Sequence, residues 1–347
     1  MKSSMRRLVL LCLCLFAGLL GSTAQAAPSS ILQRPYDLDT GHGVLRGTLL
    51  LPQSATPPPV ALLIAGSGPT DRDGNNPEGG NNGYLRKLAE ALAENGIASV
   101  RYDKRGVARS LPAAPREEEL SVDGYVADVI AWSDRLARDP RFGRQVLIGH
   151  SEGALIASLA APKSHADELV SISGSSRPIG EVLREQLQGR LPPPLQAEVN
   201  QLIDGLNAGQ LQPRVPQPLL ALFRPSVQPY LISLFRQDPA RAFAALKMPT
   251  LILQGRHDIQ VGEEDALALK QAKPDSELYL IDGMNHILRI VPAGGPQQLA
   301  SYNNPNLPLA RELVQRIVAF VKTARTLPDS TLALSGANVS RNAAIRR

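Results

Sequence analysis

Cysteine is nearly absent from this chain of 347 residues, which contains two, Cys12 and Cys14. Both lie in the N-terminal stretch and each follows a leucine, whereas a small residue would be expected before a lipid-modified cysteine. If that stretch is removed, the remaining chain has no cysteine. Disulfides and thiol chemistry are then excluded as sources of stability or activity.

Long apolar runs are also missing beyond the N-terminus. Residues 1–7 carry Lys2, Arg6 and Arg7 without an acid, residues 8–20 are apolar, and 24–26 read Ala-Gln-Ala. A basic start, a short apolar segment and a small-x-small site are typical of a secretory signal peptide. No later stretch approaches the roughly 20 apolar residues of a helical membrane span. The sequence therefore predicts a signal peptide at 1–26 and a periplasmic or secreted protein without stable membrane insertion.

The chain has little excess charge of one sign once this segment is set aside. It contains 37 basic and 32 acidic residues, and removing Lys2, Arg6 and Arg7 leaves 34 against 32. The terminal residues 328–347 are polar and carry three further arginines, and we expect them to be a disordered tail. The pI of 9.3 thus gives no reason to expect a nucleic-acid partner.

A serine lies at the apex of a predicted strand-turn-helix at residues 145–159. An apolar run, QVLI, precedes the pentapeptide GHSEG at 149–153, and the small-residue stretch ALIASL follows it. In a G-x-S-x-G turn, glycines flank the serine because the backbone bends sharply and strand and helix pack closely. This context favours Ser151 as a catalytic nucleophile.

A serine nucleophile requires a base and a group that orients the base. The run TLILQG at 250–255 predicts a buried strand, and Asp258 follows it; SELYLI at 276–281 predicts the next strand, and His286 follows that. Parallel sheets place functional groups at the carboxyl ends of their strands. Asp258 is the candidate acid and His286 the candidate base, with Asp282 as the rival acid.

The other histidines have less suitable contexts. Since neighbours of Ser151 and Asp258 in sequence usually point away from them, His150 and His257 are not favoured. His42 lies in a turn, and His165 follows a helix.

An acyl-transfer reaction also needs amide donors for the developing oxyanion. The residue after the nucleophile, Glu152, supplies one in this type of site. The apolar run VALLIA at 60–65 ends in Gly-Ser-Gly-Pro, whose backbone can turn an amide inward. We assign the second donor to Ser67, with Gly68 as the fallback; a plain Gly-Pro turn is the alternative.

Alternating strands and helices predict an α/β fold with one mostly parallel sheet flanked by helices. After a short N-terminal strand pair around 36–51, the pattern continues to residue 172. Between 177 and 247 it breaks into proline-punctuated helical pieces, which we interpret as a helical cap inserted between the sixth and seventh core strands. The catalytic domain is predicted at 27–327.

Residues 71–75 (DRDGN) resemble a calcium loop because oxygen ligands alternate. Counted from Asp71, however, the sixth position is Asn76, where the loop needs glycine, and the twelfth is Asn82, where it needs a bidentate glutamate. We therefore predict no metal and no cofactor, and a turn network that braces the oxyanion loop. Asp103, Lys104 and Arg105 are interpreted as structural charges beside the site.

From Leu45 to Lys322 the chain resembles the α/β-hydrolase superfamily, and within it a bacterial serine-aminopeptidase-like and general esterase group. The matching motifs are GSGPTDRDGN at 66–75, YDKRG at 102–106, GHSEG at 149–153, GRHD at 255–258 and GMNH at 283–286. The resemblance implies a triad of Ser151, Asp258 and His286. Ala108 replaces a common glycine, and the H-G-G-P-G and G-x-S-W-G motifs of proline iminopeptidases are missing.

These observations predict a secreted serine hydrolase that cleaves carboxylic esters of small molecules through an acyl-enzyme. The alternatives are a serine aminopeptidase-like enzyme acting on small peptides and a catalytically silent binding scaffold. Neither the substrate nor the oligomeric state follows from the sequence.

Signal processing is directly testable. Expressed in a Gram-negative host, the mature protein should begin at Ala27, or within one or two residues of it, and should leave with the periplasmic fraction. Intact-mass spectrometry of the recovered protein checks this. An N-terminal methionine on that material would contradict the prediction.

Overall fold

The computed structural model describes residues 30–323. The predicted signal peptide and the predicted tail at 328–347 lie outside this range. Within residues 30–323, no helix combines the length and apolar character that crossing a bilayer requires.

Eight strands of the described chain form one sheet in the order β1-β4-β6-β5-β7-β8-β9-β10. β1 pairs antiparallel with β4 and β4 with β6, whereas the remaining pairs are parallel. The mostly parallel sheet predicted from the sequence is confirmed. The described strands are β1 (Ile31–Pro35), β2 (Leu38–Asp39), β3 (Val44–Leu45), β4 (Gly47–Pro52), β5 (Val60–Ile64), β6 (Ala98–Tyr102), β7 (Gln145–His150), β8 (Glu168–Ile172), β9 (Thr250–Gly255) and β10 (Glu277–Ile281). Of these, β2 and β3 pair with each other outside the eight-stranded sheet.

Helices cover both faces of the sheet. They are α1 (Tyr84–Glu94), α2 (Val122–Ala137), α3 (Glu152–Ala160), α4 (Ile179–Leu187), α5 (Pro193–Asn207), α6 (Leu220–Phe223), α7 (Gln228–Phe235), α8 (Pro239–Ala244), α9 (Glu263–Ala272), α10 (Pro296–Ser301) and α11 (Arg311–Lys322). Side chains alternate along β5: Leu62 joins the apolar cluster with α2 and α3, and Leu63 joins the cluster with α1 and α11. Burial on both faces explains why this strand is a continuous apolar run.

The cap consists of helices α4 to α8 and lies between β8 and β9, the sixth and seventh strands of the sheet in chain order. Its buried side chains, among them Phe223, Leu231 and Phe235, belong to the same apolar cluster as α2 and α3. The prolines that interrupt the sequence pattern mark helix starts here, because proline tolerates the first turn of a helix.

The N-terminal strands differ from the prediction. The strand that pairs with β4 is β1, which ends before Tyr36, and the pair predicted around 36–51 is instead the short ladder of β2 and β3 plus β4. All five residues of β1 are exposed at the sheet edge. An edge strand without a buried face has no apolar alternation, which is why the sequence did not reveal it.

The turn between β7 and α3, which carries the predicted nucleophile, has closely packed backbone. Ser151 has a φ of 55°, a conformation that non-glycine residues rarely adopt. A Cβ on Gly149 would lie 2.2 Å from the Gly153 carbonyl oxygen, and one on Gly153 would lie 2.3 Å from the Ile64 carbonyl oxygen. The glycines are therefore required by the close approach of three backbone segments.

Replacing Gly153 with alanine should lower the free energy of unfolding by about 3 kcal/mol, since the added methyl group overlaps backbone atoms that cannot move independently. Gly294→Ala is the matched control, because nothing lies within 4 Å of the position its Cβ would occupy. Denaturant unfolding of both variants measures the difference. Equal stability of the two variants would show that the turn is not packed as described.

Candidate active site

Four loops that carry the predicted site residues begin at the carboxyl ends of neighbouring parallel strands. Ser67 follows β5, Ser151 follows β7, Asp258 follows β9, and His286 follows β10. These strands are parallel, with β8 between β7 and β9, so the loops lie together at the carboxyl ends of the strands. This is where open α/β sheets bind ligands.

Asp258 and His286 form a hydrogen-bonded pair. The distance from His286 Nδ1 to Asp258 Oδ2 is 2.8 Å, and the Asp258 carboxylate is fully buried. Its other oxygen accepts the amides of Gln260 and Val261 at 2.8 and 3.1 Å. Burial alone would raise the pKa of Asp258, but His286 and these amides outweigh it and lower the pKa to about 2. The carboxylate is therefore ionised at neutral pH.

The rival acid lies elsewhere. The Asp282 side chain is 90% exposed and pairs with Arg256 at 2.8 Å. His286 Nε2 has no hydrogen-bond partner within the described residues, so it is the nitrogen left for a reacting group. No hydrogen bond joins Ser151 to His286, which is common in sites without substrate, where such bonds tighten only on binding.

His150 has a place in this network that the sequence reasoning missed. It is buried, with Nε2 2.7 Å from the His286 carbonyl oxygen and Nδ1 2.8 Å from the Tyr84 hydroxyl. A carbonyl only accepts, so Nε2 carries the proton and Tyr84 donates to Nδ1. Burial, together with the His286 charge, lowers the pKa of His150 to about 3. It stays neutral and ties the loop of His286 to the nucleophile turn.

The remaining three histidines form no hydrogen bond with Ser151, Asp258 or the His286 ring among the described residues. His257 Nδ1 lies within hydrogen-bond distance of the Val291 carbonyl oxygen, and His165 contacts Asp134 at 3.0 Å. His42 is exposed. None of these three histidines is therefore a candidate for the catalytic base.

The loop after β5 lies against Ser151. A Cβ on Gly66 would come within 3.2 Å of the Ser151 Cβ. The Thr70 hydroxyl donates to the Ser67 carbonyl at 2.8 Å, whereas the Ser67 amide has no acceptor in the described part of the chain. The Glu152 amide is the first of α3, and first-turn amides have no partner within their helix. Both predicted oxyanion donors are thus available.

The polar turn at 71–75 is held by hydrogen bonds within itself and by ion pairs to β6 and the residue that follows it. Asp71 Oδ1 accepts the amides of Asp73 and Asn75, both at 2.8 Å, and Arg72 pairs with Asp103 at 2.6 Å. Asp73 pairs with Arg101 at 2.8 Å. These carboxylates are engaged by donors, and among residues 30–323 no three His, Cys, Asp or Glu side chains form a group that could hold a metal ion.

A cavity of about 460 Å³ opens over Ser151 and Ser67, between the sheet edge and the cap. Its walls are mostly apolar. The cap contributes Leu222, Tyr230, Leu231 and Leu234 to these walls. Other apolar residues of the cap, including Leu219 and Phe223, are buried in the core and hold the cap in place. At this size and polarity the cavity suits a small apolar ligand.

Comparison with known proteins identifies the family. The family model described as serine aminopeptidase, S33, matches residues 80–289, which is more than half of the chain. The chain belongs to this family. The match includes the turn of Ser151 and the loops of Asp258 and His286, and the superfamily predicted from the sequence motifs is confirmed.

One relative of this S33 chain is esterase EstD of Thermotoga maritima, which is 28% identical over 247 residues. The alignment covers 70% of this chain and 58% of that protein, so it spans little more than half of the relative's length.

Solved structures confirm the α/β-hydrolase fold. Est1E from Butyrivibrio proteoclasticus, bound to ferulic acid, superposes with a TM-score of 0.56 at 18% identity, covering 82% of this chain and 98% of that one. The Pyrococcus furiosus esterase gives 0.53 at 18% identity, covering 84% and 91%.

The acidic residues in the cavity wall determine whether the cavity could hold a positively charged substrate. Glu117 pairs with Arg224 and accepts the Ser226 hydroxyl, Glu152 lies 3.9 Å from Lys104, and Glu78 is exposed. None of the five acidic residues of the cap lines the cavity; they are Glu181, Glu185, Glu198, Asp204 and Asp238. The buried carboxylates therefore already have cations beside them. Sequence reasoning missed Glu117 and the side chain of Glu152 because their partners are distant in the chain.

Proposed function

We propose that this chain is a serine esterase that cleaves carboxylic esters of small apolar molecules through an acyl-enzyme. The observation that carries the proposal is the buried hydrogen bond between Asp258 and His286, at the same sheet edge as Ser151 in its strained turn. An ionised acid that orients a histidine toward a serine presented by a strained turn is the arrangement that activates a weak nucleophile.

In the proposed reaction, Ser151 Oγ attacks the ester carbonyl carbon while His286 Nε2 takes its proton. The amides of Ser67 and Glu152 stabilise the oxyanion of the tetrahedral intermediate. The intermediate collapses, the C–O bond to the leaving alcohol breaks, and His286 returns the proton to that oxygen. Water then attacks the acyl carbonyl carbon while His286 takes its proton. The bond to Ser151 Oγ breaks, His286 returns the proton to that oxygen, and the carboxylic acid is released. Asp258 holds the imidazole tautomer and stabilises the imidazolium.

An ester substrate is favoured over a peptide because of the cavity charges. An aminopeptidase must hold a protonated α-amine, and burying that cation requires an unpaired carboxylate. Glu117 and Glu152 are paired with Arg224 and Lys104. EstD is named an esterase and Est1E was solved with ferulic acid, which supports the same choice. A peptidase reading remains the second candidate because the family itself is named for serine aminopeptidase.

We further propose that the enzyme works in the periplasm or outside the cell. The support is the basic, apolar and small-residue succession of residues 1–26. N-terminal processing, as described above, is its test.

The triad roles are tested by substitution. Ser151→Ala and His286→Ala should each lower kcat for a nitrophenyl ester by about 10⁴-fold or more, and Asp258→Asn by about 10⁴-fold, because the three groups act as one unit. Asp282→Asn is the matched control, since it removes an exposed carboxylate of the neighbouring loop. If Asp282→Asn lowers kcat as much as Asp258→Asn does, Asp258 is not the catalytic acid. Combined substitutions should add little.

The substrate class is tested by comparing two kinds of chromogenic substrate. Nitrophenyl acetate and butyrate should have kcat/KM values at least about 10²-fold above those of alanine and proline nitroanilides, because the cavity offers apolar surface while Glu117 and Glu152 are already paired with cations and Glu78 is exposed to solvent. Both are measured on one preparation, with Ser151→Ala as background. Faster turnover of an anilide, after allowance for its more stable amide bond, would favour the peptidase.

A further inference from the structure

Lys104 is a buried cation in the cavity wall that the reaction above does not use. It follows β6, and its side chain is 3% exposed. The flanking charges of the same motif are engaged away from the site, Asp103 with Arg72 and Arg105 with Asp128. Lys104 alone turns toward the loop after β5, where Nζ lies 2.5 Å from the Gly66 carbonyl oxygen.

The Gly66 carbonyl belongs to the peptide unit whose other end is the Ser67 amide. A peptide unit is planar and trans, so its C=O and N–H point in opposite directions. A donor that holds the Gly66 oxygen therefore fixes the direction of the Ser67 N–H. That direction needs fixing, because glycines lie on both sides of Ser67 and one of them, Gly68, adopts a φ of 65°.

The second oxyanion donor is linked to the same lysine. The Glu152 side chain is 3% exposed, and its Oε1 lies 3.9 Å from Lys104 Nζ without a hydrogen bond in the described residues. Burial lowers the pKa of Lys104, and the Glu152 carboxylate opposes this by favouring the ammonium. Lys104 thus lies between the two residues whose backbone amides face the reacting carbonyl in the proposed mechanism.

We propose that Lys104 is a positioning residue of the oxyanion hole: by holding the Gly66 carbonyl and pairing with Glu152, it fixes the directions of the Ser67 and Glu152 amides. This inference rests on the proposed hydrolase function. It predicts that loss of Lys104 weakens transition-state binding and leaves ground-state binding of the substrate largely intact.

The test replaces Lys104 with methionine, which keeps the length of the stem and removes the donor. Complete removal of one oxyanion donor costs about 10²–10³-fold in kcat in other serine hydrolases. We expect Lys104→Met to lower kcat for a nitrophenyl ester by about 10²-fold, with KM within about threefold of the parent value. Inhibition by a trifluoromethyl ketone, whose adduct places an oxyanion in the hole, should weaken by a similar factor. Inhibition by the product acid should not weaken.

Two further variants separate positioning from damage to the fold. Lys104→Met leaves the Glu152 carboxylate buried and unpaired, so Lys104→Met combined with Glu152→Gln removes both charges and should show the same loss of kcat. Lys273→Met is the matched control. Lys273 is another buried lysine with a carboxylate partner, Asp275 at 2.7 Å. It precedes β10 and so lies at the amino ends of the strands, away from the site. It should keep the parent kcat.

The outcomes distinguish this inference from the proposed function. If the parent enzyme turns over esters and either Lys104 variant, shown to be folded by its thermal transition, keeps kcat within threefold, the positioning role is wrong. Equal weakening of the ketone and of the product acid would show a general disruption of the cavity and would also overturn it. If the parent enzyme turns over no ester, the proposed function itself fails.

Discussion

The close approach of three backbone segments at the nucleophile turn is the constraint on which the site depends. The turn between β7 and α3 packs against the end of β5 so tightly that Gly149 and Gly153 have no space for a side chain. One consequence is the positive φ of Ser151. Another is that the first amide of α3 and the loop carrying Ser67 lie on either side of the serine. Ser151, the Glu152 amide and the loop of Ser67 are thus brought together by one packing contact.

The second half of the site is tied to this turn by hydrogen bonds. The His150 ring bridges from Tyr84, on α1, to the backbone carbonyl of His286. Because burial keeps His150 neutral, this bridge persists through the pH range in which an ordinary histidine titrates. Asp258 fixes the His286 ring from the other side. His286 is therefore held at two places, at its backbone carbonyl by His150 and at its ring by Asp258.

Much of this arrangement follows from local sequence signals. The apolar runs of β5, β7 and β9 are visible because both of their faces are buried, and the parallel order then places the following loops together. The glycines around Ser151 indicated the turn, and the chain order of Asp258 and His286 indicated their pairing. The prolines of the cap marked its limits.

The features that escaped prediction are contacts between distant residues. The Tyr84 and His150 contact joins residues 66 positions apart, that of Lys104 with Gly66 joins residues 38 apart, and Arg224 and Glu117 are 107 apart. Charge and hydrogen-bonding capacity can be read from a sequence, but the partner is determined only when the strands are ordered. For the same reason the sequence indicates only a structural charge beside the site at Lys104, and its contact with the Gly66 carbonyl appears once β6 is placed beside β5.

The most direct measurement of the central claim, an activated serine at this turn, is labelling of the folded protein with a fluorophosphonate probe followed by tryptic mass spectrometry. Cleavage after Arg144 and Lys163 isolates the turn in one peptide, residues 145–163. The account predicts a stoichiometric adduct on Ser151 and none with Ser151→Ala. A folded protein that takes no adduct, or takes it on another serine such as Ser67, would contradict it.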